Sequence, residues 1–299
     1  MKVTRLPDVE RNDGRSVAVG TFDGVHLGHR EVIAGADTVL TFDPHPVSVV
    51  APQHTPKLLT TPARKAELIA SLGVQEMVVI PFDAEFAKRS ASEFIDDVLV
   101  GALGARTVAI GENFRFGHKA QGDPQLLRAD ERFSTTVHTL LEVDGEIVSS
   151  SHIRGLVLAG ELAEARRLLG APFQLCGEVV HGDQRGRELG FPTANIIPSE
   201  TLACPGHGVY ACLADGRPPL SAAVPAAVSI GVRPTFKTGR GELIEAYLLD
   251  FDGDLYGQTL CLEFLERLRG ERRFDTAEAL VEQMHRDVAR TRELVSARG

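Results

Sequence analysis

Short apolar runs separated by longer polar stretches fill the first half of the chain. Segments 16–20, 38–42, 77–82 and 107–111 are too short for helices and rich in aliphatic and β-branched residues, as buried strands are, and 135–143 reads as a fifth strand. The stretches between them carry helix signals. Thr61 precedes Pro62, which suits the first helical position, and Gly73 closes that helix. Ser90 and Glu93 form a capping box for a helix ending near Leu103. Such repeated alternation predicts an α/β, Rossmann-like domain, a parallel sheet with helices on both faces.

The pattern changes near Gly170-Ala171-Pro172. Beyond it, strand-like segments 174–181, 208–213, 222–230, 243–251 and 259–264 follow one another with turns of Gly, Asp and Pro between them. That predicts a small antiparallel β-barrel or sandwich. One helix ends the chain, with Asp275 and Glu278 as its expected capping pair. Its apolar stripe of Ala277, Leu280, Val281, Met284 and Val288 is expected to pack on the barrel. The expected domains are 1–170 and 171–299.

Composition narrows the partners. The 299 residues are 43% hydrophobic and 24% charged, with a formal net charge of −9. Acidic residues outnumber basic ones in both halves, so a nucleic-acid backbone is not an expected partner and anionic ligands must be held locally. The first residues lack the apolar core of a signal peptide, and no apolar run reaches the roughly 20 residues of a membrane span, so a cytoplasmic protein without membrane contact is expected. Cys176, Cys204, Cys212 and Cys261 show no C-x-x-C spacing and read as small buried thiols in a reducing compartment.

The first strand runs into Gly20-Thr21-Phe22-Asp23-Gly24-Val25-His26-Leu27-Gly28-His29. His26 and His29 share one side of a helix start. Gly24 and Gly28 let the backbone approach a ligand, and a helix N-terminus favours anions. Imidazoles there can donate to phosphate oxygens and stabilise charge developing on phosphorus. Asp43-Pro44-His45-Pro46 follows the second strand, Gly111–Gly117 (G-E-N-F-R-F-G) the fourth, and Ser149-Ser150-Ser151-His152-Ile153-Arg154 the fifth. Open parallel sheets bind ligands along that carboxyl edge. Arg154, a lone charge among hydroxyls, has the character of an anion ligand; Asp43–Pro46 also reads as a rigid turn and the serines as helix caps.

The second half holds one dense motif, from Gly182-Asp183-Gln184-Arg185-Gly186 to Gly190-Phe191-Pro192-Thr193-Ala194-Asn195. Its glycines suit a flap whose N–H groups wrap phosphates. Thr193 and Asn195 offer two hard oxygens, a fitting number for Mg²⁺, which keeps its other positions for water and phosphate. Glu245 lies inside a strand, a costly place for a charge unless it faces a site, and is the candidate base. Arg233 reads equally as a phosphate ligand or a solvated loop residue. Asp250, Asp252 and Asp254 lack the spacing of a calcium loop and read as turn formers.

On these motifs the sequence resembles the bacterial bifunctional riboflavin kinase/FMN adenylyltransferase family, the FAD synthetases, over nearly its whole length. The resemblance implies that His26 and His29 bind ATP phosphates and assist adenylyl transfer to FMN with release of pyrophosphate. Gly20, Phe22, Asn113, Ser150, Ser151 and Arg154 would complete that ATP site; Ser151 stands where the family commonly has Thr. In the barrel, P-T-A-N matches the riboflavin kinase signature. Gly182, Gly190, Pro192, Thr193 and Asn195 would hold ATP phosphate, Thr193 and Asn195 the metal, and Glu245 would be catalytic, with Tyr247 where a His is frequent. The implied ligands are riboflavin, FMN, FAD and ATP with Mg²⁺; the flavin would sit against the barrel and its last segment, and the oligomeric state is left open. One departure stands out. Only residues 30–37 separate His29 from the second strand, room for about two helical turns. A crossover normally takes about a dozen residues or more, which keeps a kinase-only enzyme as the alternative.

Overall fold

The computed structural model describes residues 1–182, 190–216, 220–232 and 242–297. The chain divides into two compact units, Met1–Ser150 and Ser151–Gly299.

The first unit is built on a six-stranded sheet whose strands all pair in parallel. Its strands are β1 (Lys2–Arg5), β2 (Arg15–Val19), β3 (Thr38–Asp43), β4 (Glu76–Pro81), β5 (Ala105–Gly111) and β6 (Ser134–His138), in the order β1-β4-β3-β2-β5-β6. Its helices are α1 (Leu27–Ile33), α2 (Pro46–Val50), α3 (Pro62–Ala70), α4 (Ala91–Glu93), which continues in π-helical form over Phe94–Ala102, and α5 (Pro124–Arg128). Alternation along the strands sorts the core into two layers. Val17, Val19, Leu40, Phe42, Val78 and Ile80 meet Phe94, Ile95, Val98 and Leu99 on one side. Ala18, Val39 and Met77 meet Val32, Ile33 and Ile69 on the other. The caps at Thr61 and Ser90 form as expected: Thr61 Oγ1 accepts from Arg64 N at 3.1 Å, and Ser90 and Glu93 bond reciprocally.

Three expectations change. β1 went unread because only Thr4 of its four residues is buried, which leaves little hydrophobic pattern. The strand expected over 135–143 stops at His138, and a small hairpin of β7 (Glu142–Val143) and β8 (Glu146–Ile147) follows. The third concerns the crossover. Helix α1 begins at Leu27, inside the two-histidine turn, so the β2–β3 connection spans residues 20–37 rather than 30–37. That is ample for a right-handed crossover, and the steric ground for a kinase-only reading disappears.

The helices α6 (Ser150–Ala159) and α7 (Leu162–Leu169) lead into the second unit, where α7 packs on the barrel. Six antiparallel strands close that barrel: β9 (Phe173–Val180), β10 (Ala194–Pro198), β11 (Gly208–Ala214), β12 (Val224–Val232), β13 (Glu242–Leu248) and β14 (Thr259–Arg269), in the order β10-β13-β12-β11-β14-β9. The expected barrel or sandwich is therefore a barrel. Its interior takes alternate residues, among them Tyr210, Cys212 and Ala214 from β11 and Leu260, Leu262 and Phe264 from β14. β10 was not expected; it is short and follows directly on the polar Pro192-Thr193 turn. β13 ends at Leu248, short of the expected Phe251, and Asp250 lies in the turn beyond with φ +58°. Cys176 and Cys261 also depart from expectation. β9 and β14 pair in a register that sets them directly opposite, and they form a disulfide, while Cys204 and Cys212 are free and buried.

The terminal helix, α8 (Ala277–Ser296), is capped one residue later than expected, by Thr276 accepting from Ala279 N at 3.2 Å. It packs on β11, β12 and β14. Leu280, Val281, Met284 and Val288 are partly buried, but Ala277 is exposed, and the most buried face of the helix is polar. Asp287 receives Arg269 Nε at 3.0 Å and Nη2 at 2.8 Å, and Gln283 Nε2 at 2.9 Å. Asp287→Ala would strand the largely buried Arg269 guanidinium, and removing one partner of a fully buried pair typically costs about 3 kcal/mol or more, so a loss somewhat below that is expected here. The expected result is a matching loss of barrel stability in urea unfolding, with a smaller loss for Asp287→Asn.

Candidate functional site

The chain runs from β2 outward through β3 to β4 on one side, then returns to β5 on the other. The crevice at such a reversal, outside the carboxyl ends of the strands, is where open parallel sheets bind ligands. Gly20 ends β2 at this point, and the turn after it is tightly constrained. Phe22 (φ +50°) and Val25 (φ +43°) adopt left-handed conformations that side chains disfavour, and both are buried. A Cβ on Gly20 would lie 2.9 Å from the Phe22 ring, so the ring can fold back only over a glycine. Asp23, buried, accepts from Leu59 N at 2.9 Å and Thr60 N at 3.2 Å. Gly24 N donates to Thr60 Oγ1 at 3.1 Å, and Thr41 Oγ1 to Thr21 O at 3.1 Å. The loop before α3 thus clamps the turn.

The clamp presents the histidines. His26 is the N-cap of α1: its Nδ1 accepts from His29 N at 3.2 Å, which leaves Nε2 as the protonated nitrogen of the neutral ring. The rings stack at a 3.5 Å centroid distance, 16° apart. Phe22 sets its edge against His29 at 5.3 Å. Burial lowers the pKa of His26 to about 4, with Arg30 adding repulsion. His29 is held well below the usual histidine range by burial, then by His26 and Lys65. His29 Nδ1 is buried with no hydrogen-bond partner among the described residues. An unpartnered buried nitrogen is costly unless a ligand completes it.

Lys65 was missed in the sequence, where it is one more cation on a helix. It projects from α3 to this turn, and its Nζ donates to Thr21 O at 2.7 Å. Burial lowers its pKa, while the charges of Asp23 and Asp43 act to raise it. Other expected residues are placed differently. His45 Nδ1 accepts from Val47 N at 3.2 Å, capping α2, so the rigid-turn reading of residues 43–46 accounts for it. Asn113 is exposed on the loop after β5, beside Phe114 and Phe116, whose rings stack at 5.7 Å. Ser150, the last residue of the first unit, donates its Oγ to Asp23 O at 3.0 Å. Ser151 and Arg154 stand in the first turns of α6 and belong to the second unit.

In the barrel, register does what spacing could not. Asn195 on β10 faces Glu245 on β13, which faces Ser229 on β12. Asn195 is buried and its Oδ1 has no hydrogen-bond partner among the described residues. A Cβ on Gly182 would collide with the Asn195 amide, so only glycine lets the chain entering residues 183–189 lie against it. Thr193 is partly buried two residues before Asn195, Pro192 is exposed, and Gly190 has φ +85°. Between them Phe191 is buried, with Tyr247 at 5.2 Å and His285 at 5.1 Å edge-on. Tyr247 therefore has a packing partner of its own. Arg233 and residues 183–189 lie outside the described residues. Asp250 forms a two-pronged ion pair with Arg292 at 2.6 and 2.8 Å, which accords with the turn reading.

Comparison with known proteins matches these two halves separately. A family model for FAD synthetase matches residues 8–152, and one for riboflavin kinase matches residues 169–295. Bifunctional riboflavin kinase/FMN adenylyltransferases are similar over nearly the full chain. That of Listeria monocytogenes is 39% identical over 92% of this chain and 91% of its own length. That of Escherichia coli K12 is 37% identical over 94% and 93%, and that of Bacillus subtilis 36% over 93% and 92%. A solved structure described as a macrolide-efflux protein from Streptococcus pneumoniae has the same fold, with a TM-score of 0.88 and 29% identity over 98% of this chain and 99% of that one. Among the described residues here, no helix is long and apolar enough to cross a membrane.

The neutral histidine pair has a consequence for stability. The His26 ring titrates near 6.5 when unfolded and about 4 when folded. Between those values the unfolded chain takes up a proton that the folded chain refuses. Stability is therefore complete above about pH 6.5 and falls as the pH drops towards 4, by about 3 kcal/mol for a shift of this size. His26→Asn keeps a capping acceptor and removes the titration. Thermal unfolding of the first unit is expected to depend on pH less steeply in this variant than in wild type across that window; equal slopes would show that burial does not hold the ring neutral.

Proposed function

The chain belongs to the bifunctional riboflavin kinase/FMN adenylyltransferase family, and we propose how its own residues divide the work. The enzyme is a transferase that phosphorylates riboflavin to FMN and then adenylylates FMN to FAD, with ATP as co-substrate of both steps and pyrophosphate released in the second. We assign adenylyl transfer to residues 1–170 and phosphorylation to 171–299.

In the adenylyl-transfer half, the observation that carries the reading is the stacked pair at the head of α1, with His29 Nδ1 buried and unpartnered. Held neutral, the rings act as hydrogen-bond donors to phosphate oxygens rather than as cations. Gly20 and Phe22 shape the turn, and Asn113, Ser150, Ser151 and Arg154 are assigned to the nucleotide. Preorganised donors of this kind stabilise charge as it moves onto the leaving group.

In the kinase half, Glu245 is assigned as the base that takes the proton of the riboflavin hydroxyl, supported by its register opposite Asn195. Gly182, Gly190 and Pro192 are assigned to phosphate. Asn195 Oδ1, a hard oxygen buried without a partner, fits a divalent cation, and Thr193 supplies a second hard oxygen. These two residues would hold Mg²⁺, which when bound neutralises phosphate charge. The terminal helix and barrel end, where Phe191, Tyr247 and His285 meet, supply apolar walls of the kind a flavin needs.

The test is the product profile from riboflavin, ATP and Mg²⁺. Wild type is expected to make FMN and then FAD. His29→Ala should make FMN at the wild-type rate and lose FAD formation by roughly 10²-fold or more. Glu245→Gln should lose FMN formation by about 10²-fold or more and still convert added FMN to FAD. Unchanged FMN formation in Glu245→Gln would remove it from the mechanism. Gly182→Ala, which displaces the Asn195 amide, is expected to raise the Mg²⁺ concentration needed for half-maximal FMN formation.

A further inference from the structure

A buried turn that binds polyphosphate needs positive charge, and the histidines do not provide it. Their rings stack at 3.5 Å, an arrangement in which two imidazoliums would repel, and burial keeps both neutral. Two cations act on the pair from nearby, Arg30 and Lys65. Arg30 donates its Nε to Val25 O at 3.2 Å, on the helix side of the turn. Lys65 comes from the opposite element, α3, and donates to Thr21 O at 2.7 Å, immediately before Phe22. An ammonium has three donors, and among the described residues this is the hydrogen bond Lys65 makes. Burial lowers the Lys65 pKa, and the charges of Asp23 and Asp43 oppose that shift, while Asp23 accepts the amides of Leu59 and Thr60. The result is a cation anchored by one bond beside an unpartnered His29 nitrogen.

We infer that Lys65 is a catalytic residue of adenylyl transfer: its ammonium binds the polyphosphate of ATP at the two-histidine turn and neutralises the departing pyrophosphate. This rests on the adenylyl-transfer reading of the first unit. A phosphate oxygen of FMN attacks the α-phosphorus of ATP, and a new phosphorus–oxygen bond forms. The bond from that phosphorus to the α,β-bridging oxygen breaks, and its electron pair leaves with pyrophosphate. Lys65 gives up no proton. It meets the negative charge that accumulates on the leaving group, while the neutral imidazoles orient it by hydrogen bonds.

A structural role, as a staple to Thr21 O, predicts different behaviour, and Lys65→Gln separates the two. The glutamine amide keeps a donor of similar reach for Thr21 O and removes the charge. In the full-length enzyme, Lys65→Gln is expected to leave FMN formation and the unfolding temperature of the first unit at wild-type values. Its kcat for FAD formation should fall about 100-fold, and its affinity for inorganic pyrophosphate, measured by calorimetry, at least tenfold. Lys65→Arg, which keeps the charge, should recover pyrophosphate binding to within about threefold of wild type. FAD formation by Lys65→Gln within threefold of wild type would overturn the inference. So would wild-type pyrophosphate affinity in the folded variant, or failure of Lys65→Arg to bind pyrophosphate while folded. If the glutamine variant does not fold, the arginine variant decides alone. Wild-type enzyme that makes no FAD would defeat the adenylyl-transfer reading instead, and the pyrophosphate comparison would still judge Lys65.

Discussion

The first unit depends on one buried carboxylate. Asp23 lies at the end of the central strand β2, nearly inaccessible, and accepts the amides of Leu59 and Thr60 ahead of α3. That contact keeps Phe22 and Val25 in left-handed conformations, since neither would hold them alone. From the same turn follow the N-cap at His26, the stacking of His29 upon it and the approach of Lys65 to Thr21 O. Backbone strain, usually a cost of about 1–3 kcal/mol per residue, is here offset by charge-assisted hydrogen bonds and apolar burial. The turn is cross-linked by these contacts alone, the kind of preorganisation that electrostatic stabilisation of a leaving group requires.

The barrel solves a similar problem with register instead of strain. Closure of β9 and β10 around the barrel brings Asn195 opposite both Val180 and Glu245. Gly182, just past β9, then lies against the Asn195 amide. A buried oxygen without a partner among the described residues, a candidate base and Gly182 thus converge from three separated pieces of sequence. The largely buried ion pair of Arg269 and Asp287 fixes the terminal helix to the barrel, and its partners Gln283 and Thr291 keep that polar face satisfied.

Two units of such different construction in one chain accord with two chemistries on one metabolite. In the proposed reading, adenylyl transfer would use the crevice of the parallel sheet, where helix ends and strand ends favour phosphate. Phosphorylation of a hydroxyl would, on the same proposal, use the barrel, with Glu245 as base and Thr193 and Asn195 as metal ligands. So divided, the product of the second unit would be the acceptor for the first.

The sequence by itself determined the element types and pointed to the candidate motifs. The short apolar runs at 16–20 and 38–42, the caps at Thr61 and Ser90, and the motifs around His26, Thr193 and Asn195 are local features, written in adjacent residues. Elements with little hydrophobic contrast escaped: β1 buries one residue in four, and β10 opens on the polar signature itself. The crossover was misjudged because a helix start at Leu27 overlaps the motif, and only backbone hydrogen bonds show where a helix begins. Tertiary structure decided what joins across distance: Cys176 with Cys261, Asp287 with Arg269, Asn195 with Glu245, and Lys65 with Thr21. The physical reason is the same in each case. Register and helix docking follow from how whole faces bury, so a lysine that looks like solvated surface in the sequence becomes a charge at the site once α3 has packed beside β2.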